Sequence, residues 1–328
     1  MKLAIKLGIA AIAGALSTGA FAADYTMRLS HQLPPTHHVA KALEQFASDV
    51  KTNTGGKVEV QIFGSEQLFK AAQNHAAVAR GQVEAASIVT VSWAGTIPEI
   101  NVMSIPYLMT GVEQLRKFPG SDAAKLLDGK IEEKGVKNIG WLLDANDTMI
   151  TSSKTPLVNP ADFKGVKIRG LNKLFDTGLA ALGASPSAMP GSEVYQALQT
   201  GVLDAGLTSA SAVNARRYYE VQKYGTAAPI AAVYQTVVVN PAWWGKLPAE
   251  SRQGIEAAVK KAEESLLPES NEPAPREIAV LREKGMTISV LTPEQNKALQ
   301  EVMQPPVLKA FGETTSDAPK VLELVRRL

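Results

Sequence analysis

The chain has 328 residues, of which 34 are Lys or Arg and 32 are Asp or Glu, so its formal net charge is only +2. A nearly neutral surface without basic runs argues against nucleic acid as a partner, because nucleic-acid binding depends on neutralising phosphates, and against a role on a membrane surface. The absence of cysteine from the sequence excludes disulfides, thiolate catalysis and cysteine-ligated zinc.

The first 22 residues have the features of an export signal. Lys2 and Lys6 form a basic start, residues 7–21 are apolar, small or hydroxyl-bearing, and a small-x-small cleavage site ends at Ala22. The alternative, an uncleaved membrane anchor, needs about 20 or more apolar residues, and this run is shorter. We therefore expect cleavage near Ala22, a periplasmic mature chain, and no stable membrane insertion. Because only the two lysines are lost, 34 basic residues become 32, equal to the 32 acidic ones.

The mature chain alternates strand and helix patterns. A strand at residues 25–29, a helix from His38 to Val50 and an alternating strand at residues 57–62 form the first unit. In chain order there follow a helix at 67–80 closed by a glycine, strands at 83–91, 136–143 and 166–169, a helix at 173–182, strands at 202–207 and 234–240, an amphipathic helix at about 248–267, and a strand at 287–291. This alternation predicts parallel sheets with helices on both faces.

The length of the mature chain predicts more than one domain. It has roughly 305 residues, whereas single cores usually stop growing near ~250 residues. We find no flexible linker in the sequence, so we expect two domains between which the chain crosses more than once.

Several enzyme classes lack support in the sequence, which contains no Gly-x-Ser-x-Gly, His-Glu-x-x-His, phosphate-loop or Gly-x-Gly-x-x-Gly motif. Three of the four histidines, His31, His37 and His38, fall within eight residues and could hold a metal or act as a base. Neighbouring helical positions face different directions, so we favour a capping or solvated role for His37 and His38. His31 or His37 can still donate a hydrogen bond into a cleft. We expect no metal and no cofactor.

The most specific pattern lies in the middle of the chain. Residues 162–169 (DFKGVKIR) predict a short strand that ends in Arg169, and residues 189–205 (MPGSEVYQALQTGVLDA) predict a helix and a second strand. Together with residues 183–186 (GASP), this segment resembles the signature of the periplasmic solute receptors of tripartite ATP-independent periplasmic (TRAP) transporters, the DctP-like family. Similar blocks at residues 64–68, 104–108 and 218–224 extend the resemblance over essentially the whole mature chain.

The resemblance implies an α/β, two-lobed fold like that of periplasmic binding proteins (a Venus flytrap), with a long helix spanning both lobes. We expect lobe I to comprise residues 23–147 and part of 235–328. Lobe II would comprise residues 148–234 and part of 235–328, including the long helix at about 248–267. The lobes of such receptors close around an organic acid, which is delivered to TRAP membrane permease subunits, and no reaction is catalysed.

The resemblance also implies which residues bind the ligand. The family arginine that matches Arg169 makes a two-pronged salt bridge to the ligand carboxylate, a role that suits the planar guanidinium. Further ligand-binding positions carried over to this chain are Gln32, His37, Val89, Trp93, Asn146, Met149, Met189, Gly191, Thr208 and Tyr234.

Four of these positions depart from better-known members of the family. Val89 stands in place of a glutamate, Met149 of a second arginine, Gly191 of an aromatic residue and Thr208 of an asparagine. Burying hydroxyl-rich groups against Val89 and Met149 without hydrogen-bond partners would cost on the order of 1–3 kcal/mol each. We therefore expect an aromatic or medium-sized hydroxy or keto monocarboxylate as the ligand. It would be lined by Trp93, Tyr107, Met189 and Tyr234, while Trp243 and Trp244 would seat the long helix.

Other functions stay open at the level of the sequence. The ligand can instead be a C4-dicarboxylate or a sugar acid. A periplasmic enzyme would use His31 or His37 as its base and Asp144 or Asp147 as partner. A sensory protein that passes a signal to a membrane kinase would have the same sequence features as a transport receptor.

Overall fold

A computed structural model describes residues 23–268 and 274–328. The strands are β1 (Tyr25–Ser30), β2 (Val58–Phe63), β3 (Ala85–Val89), β4 (Lys137–Ala145), β5 (Thr148–Ser152), β6 (Lys167–Arg169), β7 (Ser185–Ser187), β8 (Ala205–Thr208), β9 (Tyr224–Ala228), β10 (Val233–Val239) and β11 (Thr287–Val290). The helices are α1 (His38–Asn53), α2 (Asn74–Ala79), α3 (Val112–Lys117), α4 (Asp122–Glu132), α5 (Lys173–Ala181), α6 (Val194–Gln199), α7 (Ala210–Ala215), α8 (Pro241–Lys246), α9 (Ala249–Ser265), α10 (Pro275–Glu283), α11 (Pro293–Gly312) and α12 (Ala318–Arg326). Short 3₁₀ helices, among them Pro98–Ser104, lie between several of these elements.

The first sheet has the strand order β2-β1-β3-β10-β4. Strand β1 is parallel to β2 and β3, whereas β10 is antiparallel to β3 and β4. One face of the sheet packs against α1 and α9. The other packs against the 3₁₀ helix Pro98–Ser104, α4 and α12. We call this sheet and its helices the first lobe.

The second sheet has the strand order β11-β9-β5-β8-β6-β7. Strand β6 is parallel to β7 and β8, and β9 is parallel to β11, whereas β5 is antiparallel to β8 and β9. Helices α5 and α11 supply residues to one of its apolar cores, and α6, α7 and α10 supply residues to the other. We call this sheet and its helices the second lobe.

Both sheets are mixed, which corrects the expectation of parallel sheets. Residues 146 and 147 connect β4 of the first sheet to β5 of the second, and residues 229–232 connect β9 to β10 in the reverse direction. Neither connection contains the crossover helix that parallel neighbours need, and the strands that enter by them, β5 and β10, are antiparallel to their neighbours. The chain passes between the lobes at these two places and again between α9 and α10.

The helix predicted at residues 67–80 begins later than expected. A 3₁₀ turn covers Ala71–Gln73, and α2 starts only at Asn74. Ser65 and Glu66 both have a left-handed backbone, with φ of 52° and 61°. The Glu66 carboxylate also accepts a hydrogen bond from the Ala71 N–H at 2.9 Å. The chain therefore forms a tight turn where the apolar pattern suggested helix.

The helix that joins the two lobes is α11, and not the one predicted at about 248–267. Helix α9 occupies that position, but its buried stripe packs with α1 and Trp244 on the first sheet. In α11, Leu299 and Met303 lie in a core of the second lobe, whereas Val307 and Phe311 lie in a core of the first. Its 20 residues span about 30 Å, enough to reach both.

The predicted export signal, residues 1–22, lies outside the described residues. Among the helices of residues 23–268 and 274–328, none is long and apolar enough to cross a membrane.

Candidate functional site

A cavity of about 430 Å³ lies between the two lobes. The first lobe lines it with residues at and beyond the end of β3, and the second lobe with the ends of β6 and β8. The connection between β4 and β5 forms a further part of the wall. The cavity therefore lies where the chain passes from one lobe to the other, and a movement of the lobes would change its size.

Arg169, the last residue of β6, lines this cavity. Its Nε and Nη2 donate hydrogen bonds to the Met189 carbonyl at 3.2 and 3.1 Å, and Nη1 donates to the Leu207 carbonyl at 2.6 Å. These bonds hold the side chain in place while it is only 6% exposed. Burial lowers the pKa of Arg169 to about 10, so that the guanidinium stays charged at neutral pH.

The Arg169 guanidinium keeps hydrogen-bond donors for a ligand. It has five N–H groups, and the two carbonyls account for three of them, which leaves one on each Nη. Such a pair matches the two oxygens of a carboxylate. Within residues 23–268 and 274–328, no carboxylate oxygen lies within 4 Å of it. The charge of Asp176 acts on the pKa of Arg169 from beyond that distance. An anion that entered the cavity would therefore meet a buried cation that has no carboxylate in direct contact.

Arg216 is a second guanidinium in the cavity, which the sequence analysis missed. It follows α7 directly, and its guanidinium lies so close to Gly191 that an ideal Cβ there would be 2.7 Å from Cζ. Its charge contributes to lowering the pKa of Arg169 and that of His37. In the described part of the chain it has no carboxylate within 4 Å. Although Met149 stands in place of the family's second arginine, the cavity thus has another guanidinium besides that of Arg169.

Two aspartates line the cavity at the connection between the lobes. The Oδ2 of Asp144 accepts a hydrogen bond at 2.6 Å from the Gln235 amide, whose own oxygen faces the Ser87 hydroxyl at 3.4 Å. The Oδ2 of Asp147 accepts from the Ala210 N–H at 3.2 Å, and burial raises the pKa of Asp147 to about 6. Both carboxyl groups are thus fixed by neutral partners. Neither is among the charges that shift the pKa of Arg169.

His37 begins α1 as its N-cap, and its ring is held in one tautomer. Its Nδ1 accepts a hydrogen bond from the Val39 N–H at 3.3 Å, as an N-cap side chain should. Burial lowers the pKa of His37 to about 3, so the ring is neutral and its proton is on Nε2. That Nε2 lies 3.6 Å from Oδ1 of Asp144. His37 therefore presents a donor, Nε2–H, on its cavity side.

His37, His38 and Asp144 have potential metal-ligand atoms within 4.8 Å of one another. A metal on Nε2 of His37 would require the remaining proton to move to Nδ1. That position faces the Val39 N–H, which is itself a donor. The hydrogen bond that caps α1 therefore disfavours a metal on His37. That the site binds no metal stays a prediction.

Seven of the positions predicted for ligand binding line the cavity, namely Gln32, His37, Val89, Arg169, Met189, Gly191 and Thr208. Four do not, and each of these is next in sequence to a residue that does. Ser92 lines it beside Trp93, Ala145 and Asp147 beside Asn146, Thr148 beside Met149, and Val233 beside Tyr234.

Three of these four positions lie in apolar cores for physical reasons. Successive residues of a strand face opposite sides, so in β5 and β10 a shift of one residue moves a side chain from cavity to core. Met149 packs in the apolar core of the second lobe, toward Gly225, whose ideal Cβ would be 2.8 Å from its Sδ. The Tyr234 hydroxyl donates to the Leu115 carbonyl at 3.1 Å, and the Trp93 Nε1 donates to Thr236 Oγ1 at 3.0 Å, both within the first lobe. Asn146 lies between Ala145, the last residue of β4, and Asp147, both of which line the cavity.

Tyr107 also lies outside the cavity lining, with its hydroxyl donating to Asn296 Oδ1 at 3.3 Å. His31 is buried, and its Nδ1 accepts from the Leu33 N–H at 3.1 Å. Trp243 and Trp244 pack in the same core as α9. The aromatic lining expected for the ligand is therefore not present among these residues.

The geometry does not favour the enzyme alternative. Burial lowers the pKa of His31 to about 4 and that of His37 to about 3, so neither ring takes up a proton readily near neutral pH. His31 does not line the cavity, and in His37 the lone pair of Nδ1 is used by the cap of α1.

A family model described as bacterial extracellular solute-binding protein, family 7 (DctP), matches residues 29–314. The C4-dicarboxylate-binding periplasmic protein DctP of Rhodobacter capsulatus is 32% identical over 310 residues, which cover 92% of this chain and 91% of that protein.

Solved structures of similar fold include two TRAP periplasmic solute-binding proteins. The one from Desulfovibrio salexigens, with bound orotic acid, has a TM-score of 0.85 at 26% identity and covers 92% of this chain and 98% of its own. The one from Sulfurospirillum deleyianum, with bound succinate, has a TM-score of 0.83 at 26% identity and covers 92% and 99%. These proteins are receptors, and the similarity extends over nearly their whole length.

Proposed function

The chain belongs to family 7 of the bacterial extracellular solute-binding proteins, the DctP family, and we propose that it is the periplasmic receptor that captures a small organic acid for a TRAP-type membrane permease. The observation that carries this proposal is the guanidinium of Arg169. It is buried in a cavity between two lobes, it is held by backbone carbonyls, and two of its N–H groups remain for a carboxylate.

Capture would proceed by closure of the lobes. A carboxylate that binds Arg169 in the second lobe and residues of the first lobe gains all of its contacts only when the lobes are closed. Hydrogen bonds to charged groups contribute about 1.5–3 kcal/mol each. A contact that crosses the cleft, from Ser192 Oγ to Glu66 Oε1 at 3.4 Å, would add to the closed state.

We propose a compact polar acid as the ligand, in place of the aromatic or medium-sized monocarboxylate expected from the sequence. That expectation required Trp93, Met149 and Tyr234 in the pocket, and these three side chains lie in cores. The residues that line the cavity instead include two arginines, Lys173 and two aspartates. The similar proteins named for C4-dicarboxylate binding, or solved with succinate, are consistent with a compact acid.

The organisation of the chain follows the same proposal. Residues 1–22 would be removed on export, with cleavage near Ala22. Lobe I would comprise residues 23–147 and lobe II residues 148–234, with residues 235–328 shared between them. The closed form would be the one that docks on the permease.

The test is a thermal-shift panel of C4-dicarboxylates, uronic acids, short hydroxy and keto acids and aromatic acids, followed by calorimetry of the best acid with variants of Arg169. Arg169→Ala should lower the affinity at least tenfold, because the carboxylate loses a charged, two-pronged partner. Arg169→Lys should restore only part of it, since an ammonium lacks the planar fork.

Arg327→Ala is the matched control. This arginine is 68% exposed by side chain and pairs with Glu323 on α12, so its loss should leave affinity unchanged. An affinity that is the same in the wild type and in a folded Arg169→Ala protein would contradict the proposal, as would a panel in which no acid binds.

A further inference from the structure

The cavity has two ends of opposite charge. Arg169 donates to the Met189 carbonyl and Arg216 lies against Gly191, so both guanidiniums adjoin the segment of residues 189–191. Asp144 lies near the end of β4, and Asp147 lies in the connection from β4 to β5. His37 lies beside the acidic end, with its Nε2 3.6 Å from Oδ1 of Asp144, and the charge of Arg216 contributes to lowering its pKa.

The acidic end has no cation of its own. Gln235 and the neutral ring of His37 face Asp144, and the Ala210 N–H faces Asp147. Over the described ranges, no Lys or Arg nitrogen lies within 4 Å of either carboxyl group. Carboxylates in a low-dielectric cavity need hydrogen-bond donors or a positive charge.

Asn101 is a further cavity residue with an acceptor that lacks a hydrogen-bond donor. It lines the cavity and is 5% exposed. Its Nδ2 donates to the carbonyls of Ala94 and Pro98, at 3.3 and 3.0 Å, which fixes the orientation of the amide. Its Oδ1 is buried and has no partner in the described structure. Buried acceptors of this sort are normally satisfied, and here a ligand can satisfy it.

We propose that the ligand carries hydrogen-bond donors, hydroxyl or ammonium, at the end opposite its carboxylate, and that Asp144 and Asp147 select against a second carboxylate there. The proposal rests on the proposed function, since it takes the carboxylate to be bound by Arg169 and Arg216. A dicarboxylate would place its second negative charge beside Asp144, and like charges in such a cavity repel each other strongly. A hydroxyl or an ammonium would instead donate hydrogen bonds to these carboxyl groups or to the Asn101 Oδ1.

A metal ion that bridges Asp144 and the ligand is the competing explanation for the carboxyl groups without a cation. Such an ion would favour a second carboxylate on the ligand, whereas our proposal disfavours it. The N-cap bond of His37 opposes it, since the ring faces Asp144 with a proton and not with a lone pair. The experiment separates the two explanations by removing free divalent cations.

Calorimetry in EDTA with three acids of matched length tests the proposal: succinate, 4-hydroxybutyrate and 4-aminobutyrate. The wild-type protein should bind the hydroxy or the amino acid at least tenfold more tightly than succinate. Asp144→Asn keeps an acceptor for Gln235 but removes the charge, and it should reduce that preference at least fivefold. If Asp144→Asn weakens the binding of 4-aminobutyrate alone, the group of the ligand that faces Asp144 is an ammonium. If the wild-type protein prefers 4-hydroxybutyrate, that group is a hydroxyl.

Asp122→Asn, at a side chain that is 76% exposed on α4, is the control and should change no ratio. If Asp144→Asn does not fold, the wild-type ratio decides alone. The proposal is overturned if succinate binds most tightly, if the three acids bind equally or not at all, or if succinate binding appears only when divalent cations are restored. When succinate binds best and its binding still depends on Arg169, this inference fails while the proposed function stands.

Discussion

Asn172 in the second lobe donates a hydrogen bond from Nδ2 to Oγ of Ser104 in the first lobe, at 2.9 Å, and both side chains are buried. The Oδ1 of the same amide accepts from the Phe175 N–H and caps α5. Asn172 thus couples the start of a helix that adjoins the cavity to the opposite lobe. This hydrogen bond can form only while the lobes are together.

We expect Ser104→Ala to weaken ligand binding more than it weakens the fold. The variant leaves the Asn172 amide without its partner in the closed form, and an unsatisfied buried donor costs about 1–3 kcal/mol. An open form exposes that amide to water, so the equilibrium shifts toward the open state and affinity should fall about fivefold or more. Calorimetry with the best acid measures it. Ser265→Ala, which removes a hydroxyl bonded within α9, is the control. Equal affinities for both variants would show that the contact does not matter for closure.

A second prediction concerns the glycine beside Arg216. In Gly191→Ala the new methyl group would lie 2.7 Å from the guanidinium, which is the flexible end of a side chain and can move away. We expect little loss of stability and an affinity reduced about fivefold or more, because the displaced cation no longer faces the ligand carboxylate.

The double variant Gly191→Ala with Arg216→Ala provides the check. Once the guanidinium is gone, the methyl group has nothing to displace, so the two changes should be far from additive in calorimetry. Additive effects would mean that Gly191 acts on the ligand by another route and that its contact with Arg216 is incidental.

The sequence predicts the framework well wherever the pattern is local. The first strand-helix-strand unit, the cap near His37 and the strand that ends in Arg169 all depend on residues close together in the chain, and the structure has them. The helix that joins the lobes was misidentified because α9 and α11 are both long and partly apolar. Which core receives each helix depends on contacts between residues far apart in sequence.

The errors in the site have a different origin. Met149 and Thr148 are neighbours in β5, yet only Thr148 lines the cavity, because a strand alternates its faces. A family resemblance locates the segment, but an error of one residue in a strand places a core side chain where a cavity side chain is expected. Arg216 was missed for another reason. Nothing local distinguishes it from Arg217, which is exposed and pairs with Glu220. The direction of α7 brings Arg216 to the cavity.

A third prediction separates the two roles of His37. His37→Ala should lower the free energy of unfolding by about 1 kcal/mol, because α1 loses its cap, and it should also weaken ligand binding. His37→Asn can still accept from the Val39 N–H, so stability should be largely kept while the donor at Nε2 is lost. Urea unfolding and calorimetry on both variants measure the two effects.

Ser121→Ala is the matched control for His37, since Ser121 caps α4 by accepting from the Ala124 N–H away from the cavity. It should lose stability and keep affinity. If His37→Asn binds ligand as well as the wild type does, the Nε2–H group is not a ligand contact.

The last prediction concerns Glu263 on α9, whose Oε1 accepts a hydrogen bond at 2.7 Å from the Trp141 N–H on β4, the edge strand of the first sheet. Burial raises the pKa of Glu263 from 4.5 to about 7. The folded chain therefore keeps this proton up to about pH 7, whereas the unfolded chain loses it near pH 4.5. Between these values the folded state binds more protons, so this group lowers stability as the pH rises, and its effect is constant above pH 7.

Glu263→Gln keeps the acceptor for Trp141 but cannot ionise. Relative to the wild type, its free energy of unfolding should change little at pH 4.5 and rise by on the order of 2 kcal/mol by pH 8, since one pKa unit corresponds to about 1.4 kcal/mol. Urea unfolding at pH 4.5, 6 and 8 measures the difference. Glu256→Gln, at an exposed position of α9 whose charge is not among those that shift the pKa of Glu263, should give a difference that does not vary with pH. If the difference in free energy of unfolding between Glu263→Gln and the wild type also stays constant with pH, the pKa of Glu263 is not raised. Water would then reach this carboxyl group in the folded chain.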